Sequence, residues 1–313
     1  MLSRIAESLF WIGRYLERAD DTARILDVEL QVLIEDPTID EEQSCRQLLK
    51  IMGVEEHPPV VNRWTVLDLL AHNPESPTSI AYVIDASREN ARGARETLST
   101  DMWAAINMMW RGLPSARAMR STDMFGWVRN RTAMIAGIAD STMTRDEGWQ
   151  FFMLGRSIER VDMTARLLST ASLAAEAQLA WPTTLRACGA YEAFIRAYRG
   201  VEADRLAAEF LLLDRWFPRS VVSALVEAEK ALTTLEAGGQ RTGGQRSGFS
   251  DEALRLLGRA RTELEYRPLA EIVYDLPTEM ERLQRSCAAA SEAVTTRYFS
   301  LAESRQWSEG AAL

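Results

Sequence analysis

The chain has 313 residues, 47% of them hydrophobic, and a formal net charge of −9. That length supplies enough apolar surface for a sizeable core, in one large unit or two small ones. The acid excess excludes a duplex nucleic-acid binder, which needs a basic face, and electrostatic docking on anionic lipid.

Apolar residues recur at helical spacing and no run alternates over the length of a strand, so the expected fold is all-α. In chain order the pattern predicts helices near Ser3–Ile34, Glu42–Met52, Ser79–Leu98, Thr100–Gly112, Ser121–Met143 and Asp146–Ala174. Further helices are expected near Thr183–Tyr198, Val201–Leu213, Ser220–Leu235, Asp251–Leu264 and Pro268–Phe299. Pro and Gly punctuate the breaks, as in EEHPP, NPESP, RGLPS, WPTT and WFPRS. GGQRTGGQRSG, residues 238–248, reads as a flexible loop. No apolar run approaches the ~18 residues that span a bilayer, and the N-terminus lacks the pattern of a signal peptide. Cys45, Cys188 and Cys287 are too scattered for a disulfide framework or a zinc site. A cytoplasmic protein with no membrane contact is expected.

One stretch is written twice. LFWIGRYLERADDTARIL (Leu9–Leu26) aligns without gaps with FFMLGRSIERVDMTARLL (Phe151–Leu168), with ten of eighteen positions identical; composition alone gives roughly one. SPTSI (Ser76–Ile80) and FPRSV (Phe217–Val221) echo each other at nearly the same offset, each after an apolar run, VLDLL and EFLLL. The expectation is a single helical domain over residues 1–313, a bundle of two similar halves, about 1–140 and 141–300, related by a pseudo-twofold.

On a helical wheel, Ile12, Tyr15, Leu16, Ala19, Ala23 and Leu26 form a core stripe, and Gly13, Glu17, Asp20 and Arg24 lie beside it. Arg14 and Arg18 follow, and the second copy places Arg156, Glu159, Arg160, Asp162 and Arg166 in the same positions. A solvated face with i,i+4 ion pairs, each worth ~0.2–0.5 kcal/mol, is one reading. Another follows from Gly13 and Gly155, which each cost ~1 kcal/mol in a helix interior and admit close approach. The two helices then meet across the axis, with Glu17, Arg18, Glu159 and Arg160 in a buried, mutually paired network. That network is either structural or the lining of a site for a carboxylate, phosphate or amine ligand.

Other chemistries find little support. Glu17/Asp20 and Glu159/Asp162 suggest a di-metal bundle site, but the only histidines, His57 and His72, fall in loop-like segments and arginines crowd the carboxylates. No metal and no cofactor is therefore expected. GxSxG and GxxxxGK[ST] are both missing from the sequence, so neither a hydrolase nucleophile nor a nucleotide site is expected. Arg88, Arg92, Arg95, Arg156, Arg160, Arg215 and Arg219 are expected mostly in surface pairs; if some converge on the Glu-Arg helices they make a guanidinium-lined pocket. Trp103, Trp110, Trp127 and Trp216 are expected in the core or an interface.

LSRIAESLFWIGRYLERADDTARIL resembles the alpha-E family of bacterial helical domains, named for its Glu-Arg motif. RENARGARETLSTDMWAAIN (Arg88–Asn107), GWQFFMLGRSIERVDMTARLL (Gly148–Leu168), AYEAF (Ala190–Phe194) and EFLLLDRWFPRSV (Glu209–Val221) resemble it too, in the right order. The motif falls on Glu17-Arg18 and Glu159-Arg160. The resemblance implies an all-helical protein encoded beside, or fused to, a circularly permuted ATP-grasp protein. Transglutaminase-like proteins and peptidases accompany that pair, in systems that make or modify peptides by amide ligation. Three readings follow. The chain is an accessory protein presenting a peptide or amino-acid substrate to the ATP-grasp partner; or it is an enzyme completing amide transfer with Glu17 or Glu159 as general base; or it is an oligomerisation scaffold. A carboxylate hemmed by arginines is a poor base, which favours the first.

Overall fold

A computed structural model of the chain describes residues 1–54, 58–173, 180–199, 204–240 and 251–299. Among the described residues every regular element is helical. The first half holds α1 (Ser3–Glu35), α2 (Glu41–Ile51), α3 (Arg63–Leu67), α4 (Ile80–Gly93), α5 (Thr100–Arg117) and α6 (Ser121–Thr142). Then come α7 (Glu147–Leu173), α8 (Ala180–Ala187), α9 (Tyr191–Ala197), α10 (Asp204–Leu213), α11 (Val221–Gln240), α12 (Glu252–Tyr266), α13 (Leu269–Tyr274) and α14 (Leu276–Val294). Single π-helical turns cover Asp68–His72 and Thr295–Phe299.

Local chemistry sets many of the starts. Asp40, Asn62, Ser79, Ser99 and Asp251 each accept a backbone N–H of the following turn with the side chain, satisfying donors that a helix leaves open. Turns Asn73–Ser79 and Asp214–Ser220 make corresponding bonds. The Ser79 hydroxyl donates to the Asn73 carbonyl and the Ser220 hydroxyl to the Asp214 carbonyl. Each serine then accepts from the backbone three residues on, at Tyr82 and Ser223.

The helices α1 and α7 cross at the centre. α4 and α6 lie on α1, while α11 and α14 lie on α7. Surrounded in this way, α1 buries more than its core stripe: Phe10 and Ile25 are as deeply covered as Ile12 and Leu26. Gly13 and Gly155 mark the crossing. A Cβ on Gly13 would overlap the Phe152 carbonyl, and one on Gly155 the Phe10 carbonyl, backbone that cannot step aside. The expected close approach is therefore real and reciprocal.

Four expectations about the elements need revision. α5 runs through Pro114, expected as a break, because Leu113 and Ala116 stay buried on its inner face. The helix expected over Thr183–Tyr198 divides at Gly189, whose φ of +63° ends a turn in the left-handed region. The one expected over Pro268–Phe299 divides at Asp275. α3 and the π turn after it form where the sequence pattern predicts a loop; His72 sits in that turn, while His57 lies outside the described residues. The Gly238–Gly248 segment begins inside α11, and its remainder also lies outside them.

Candidate functional site

The Glu-Arg motifs meet across the α1–α7 crossing and exchange partners. Glu17 of α1 accepts from Nε of Arg156 at 2.8 Å and Nε of Arg160 at 2.6 Å, both on α7. Glu159 of α7 accepts from Nε of Arg14 at 2.7 Å and is gripped on both oxygens by Arg18, both on α1. The spacing explains the exchange. Residues i−3 and i+1 flank each glutamate on one side of its helix, so at a close crossing each arginine pair reaches the carboxylate opposite. The intrahelical pair Glu17–Arg14, equally consistent with an i,i+3 spacing, does not form, and Arg24 lies seven residues from Glu17, outside that spacing. Asp20–Arg24 and Asp162–Arg166 do form within their helices, at 2.9 and 2.7 Å. Arg166 also donates to the Ile51 carbonyl.

Arg219, in the turn after α10, comes to the same centre. Its guanidinium bridges Glu17, Asp20 and Asp21. Among the residues expected in surface pairs, Arg156, Arg160 and Arg219 thus converge on the Glu-Arg helices, whereas Arg88, Arg92 and Arg215 stay in outer pairs. Arg95 stacks on Trp103. Trp216 departs from its expected burial and is 94% exposed, in the same Asp214–Ser220 turn that seats Arg219 inward. The sequence pattern left Asp21 and Thr132 out of the site; Thr132 on α6 donates to Asp20 at 3.1 Å. A signal for Asp21 and Arg219 was present. Both sit where the halves differ, opposite Met163 and Thr78 in the alignments, and the two charges added on one side pair with each other.

The electrostatics follow from this packing. Burial by itself would raise both glutamates. The guanidiniums of Arg160, Arg219 and Arg156 outweigh it and hold Glu17 well below the usual carboxylate range. Arg18 and Arg14 bring Glu159 to about 2. Burial pushes Asp21 up, because Arg219 is shared with Glu17 and Asp20, which also repel it. Burial likewise lowers Arg160, partly offset by Glu17.

The oxygens of Glu17, Asp20 and Asp21 lie close enough together to suit a metal ion. That cation position is filled by the Arg219 guanidinium, so the donor set does not fit a resident metal without displacing it. Glu159 and Asp162, the other carboxylates of the expected di-metal pattern, are not in this cluster. Beside Arg219 opens a cleft of about 370 Å³, bordered by Arg24, Arg156, Arg160, Phe152, Ala136 and Pro218.

Comparison with known proteins agrees with the motifs. The family model Alpha-E, described as a predicted alpha-helical domain with a conserved ER motif, matches residues 1–299. Relatives include an uncharacterized protein of Mycobacterium bovis and two of Mycobacterium tuberculosis strains, each 27% identical over 252 residues. The match covers 71% of this chain but only 28% of each relative. No solved structure matches the chain. Among the described residues, no helix is long and apolar enough to cross a membrane.

Proposed function

The chain belongs to the Alpha-E family, and from that premise we propose that it is an accessory protein. It holds a peptide or amino-acid substrate for a circularly permuted ATP-grasp ligase and binds no nucleotide itself. One observation carries this reading: a chemically locked centre stands beside an open cleft lined with guanidiniums. Glu17 and Glu159 are ionised, buried and fully engaged by arginines. A general base works best with a pKa near the operating pH, so both are weak candidates for proton abstraction. The alternative in which Glu17 or Glu159 completes the amide transfer is disfavoured accordingly. The cleft, by contrast, offers Arg side chains suited to anionic substrate groups.

The relatives are several times longer than the matched region. A helical module carried within a larger polypeptide suits a protein that works on a partner's substrate. The duplicated origin of the halves belongs to the same reading, supported by the exchanged ion pairs and the corresponding turns. The test is co-expression with an ATP-grasp protein encoded beside it, followed by ATP-dependent joining of amino acids to a peptide acceptor. Product is expected from the complex and from neither protein alone, and the isolated chain shows no ATPase or peptidase activity. Turnover by the isolated chain would overturn the reading.

A further inference from the structure

The two Glu-Arg sites are closed to different degrees. α6 and α14 bury their residues in the same register, Val128, Thr132, Ile135 and Ala139 against Leu283, Cys287, Ala290 and Val294. In that register Ala136 occupies the place of Ser291. On the α14 side, Nη1 of Arg14 donates to the Ser291 hydroxyl at 3.2 Å, and the Trp11 ring lies 5.3 Å from the same guanidinium. The Arg14 side chain is 13% exposed.

Its counterpart Arg156 has neither support. Ala136 offers no acceptor, and Met153 stands where the first copy has Trp11. Arg156 binds Glu17 through Nε, and its terminal nitrogens have no protein partner among the described residues. Its side chain is 27% exposed, and it lines the cleft together with Ala136. Four guanidiniums border this cleft, those of Arg24, Arg156, Arg160 and Arg219. Three carboxylates balance them: Glu17 and Asp20 in the lining, and Asp21 held behind by Arg219. At least one positive charge is left over, since burial disfavours the ionised form of Asp21, and Arg156 is the guanidinium with a free outer edge.

We infer that this cleft binds an oxyanion, a carboxylate or a phosphoryl group, on the terminal nitrogens of Arg156, and that the Glu159 side, capped by Ser291, does not. A guanidinium whose Nε is anchored presents its outer edge in fixed orientation, which favours two parallel charge-assisted bonds to one oxyanion. The cleft's volume falls in the range of small-ligand sites, ~300–1,000 Å³. The inference rests on the reading above, in which the same cleft receives the substrate.

The experiment is titration calorimetry on the full chain at fixed ionic strength with three probes: acetyl-alanyl-alanine, its C-terminal amide, and inorganic phosphate. Saturable binding of the free acid but not the amide assigns the cleft to a carboxylate, and binding of phosphate alone assigns it to a phosphoryl group. Arg156→Ala is expected to weaken binding at least tenfold. Ala136→Glu supplies an internal carboxylate to the same guanidinium while leaving the Glu17 contacts in place, and is expected to do the same in a normally folded protein. Heat from neither anion, or equal binding by Ala136→Glu and the unaltered chain, would overturn the inference. Its failure is separable from that of the accessory role. A complex that makes product while the cleft binds no anion refutes only this inference. Anion binding without any ligation in the complex refutes only the accessory role.

Discussion

Glu17→Ala removes the carboxylate that Arg156, Arg160 and Arg219 share, and its cost depends on what each arginine has left. Arg219 keeps Asp20 and Asp21. Arg156 borders the cleft and can turn to water. Arg160 keeps only the Pro218 carbonyl, at 3.1 Å, although burial already disfavours its charge. One buried guanidinium is therefore left without a counter-ion, and breaking a buried pair in this way costs ~3–5 kcal/mol. With an unfolding entropy of ~2.1 cal/mol/K per residue over 313 residues, the melting temperature should fall by about 5–8 °C. Thermal unfolding followed by circular dichroism reads this directly. Glu17→Met combined with Arg160→Met should recover most of the loss, because replacing both ions with apolar groups is often neutral. A drop of ~0.5 kcal/mol or less for Glu17→Ala is what a solvated surface position gives, and it would refute the buried network.

Further outcomes are expected from the same geometry. Glu159 lies at about 2 against an ordinary 4.5, so its stabilisation is complete above pH 4.5 and is lost as pH falls toward 2; the shift corresponds to ~3 kcal/mol. A pH series of urea unfolding should show that slope, flattened in Glu159→Gln. Gly155→Ala gains helix propensity but drives a methyl into the Phe10 carbonyl, so it should destabilise by ~1–3 kcal/mol or more, checked by the same unfolding; a stabilised variant would contradict the close crossing. Glu41→Ala breaks a pair whose side chains are each more than a third exposed and should change stability by less than ~1 kcal/mol. Arg160→Lys should weaken the fold as well as activity in the complex, read by thermal unfolding and by ligation rate, since a single ammonium nitrogen replaces the two separate guanidinium nitrogens that reach Glu17 and the Pro218 carbonyl.

Much of this arrangement was legible in the sequence, for physical reasons that differ by residue. Two glycines inside otherwise ideal helices announced the crossing, since nothing but close approach rewards a missing Cβ there. The charges repeated with them, so each copy could supply the other's counter-ions. What periodicity could not convey was the partner exchange. Glu17–Arg14 and Glu17–Arg156 look equally reasonable until the crossing angle places α7 against α1. Arg219 was legible only as one of seven arginines that could converge on the Glu-Arg helices, for a related reason. It lies in a turn, where no periodicity aims a side chain, and its inward direction comes from the Asp214–Ser220 bonds that also leave Trp216 outside. The helix breaks failed where tertiary burial overrode local propensity, as at Pro114. The open state of Arg156 depends partly on Met153, which the repeat sets against Trp11, and partly on Ala136 of another helix, which no local pattern connects to it.

The most direct test of substrate holding is the steady-state kinetics of ligation by the reconstituted complex, with the unaltered chain and with Ala136→Glu. The account predicts that Ala136→Glu raises KM for the anionic substrate at least tenfold and changes kcat little, because the cleft binds and the partner reacts. Identical kinetics for both chains would contradict it.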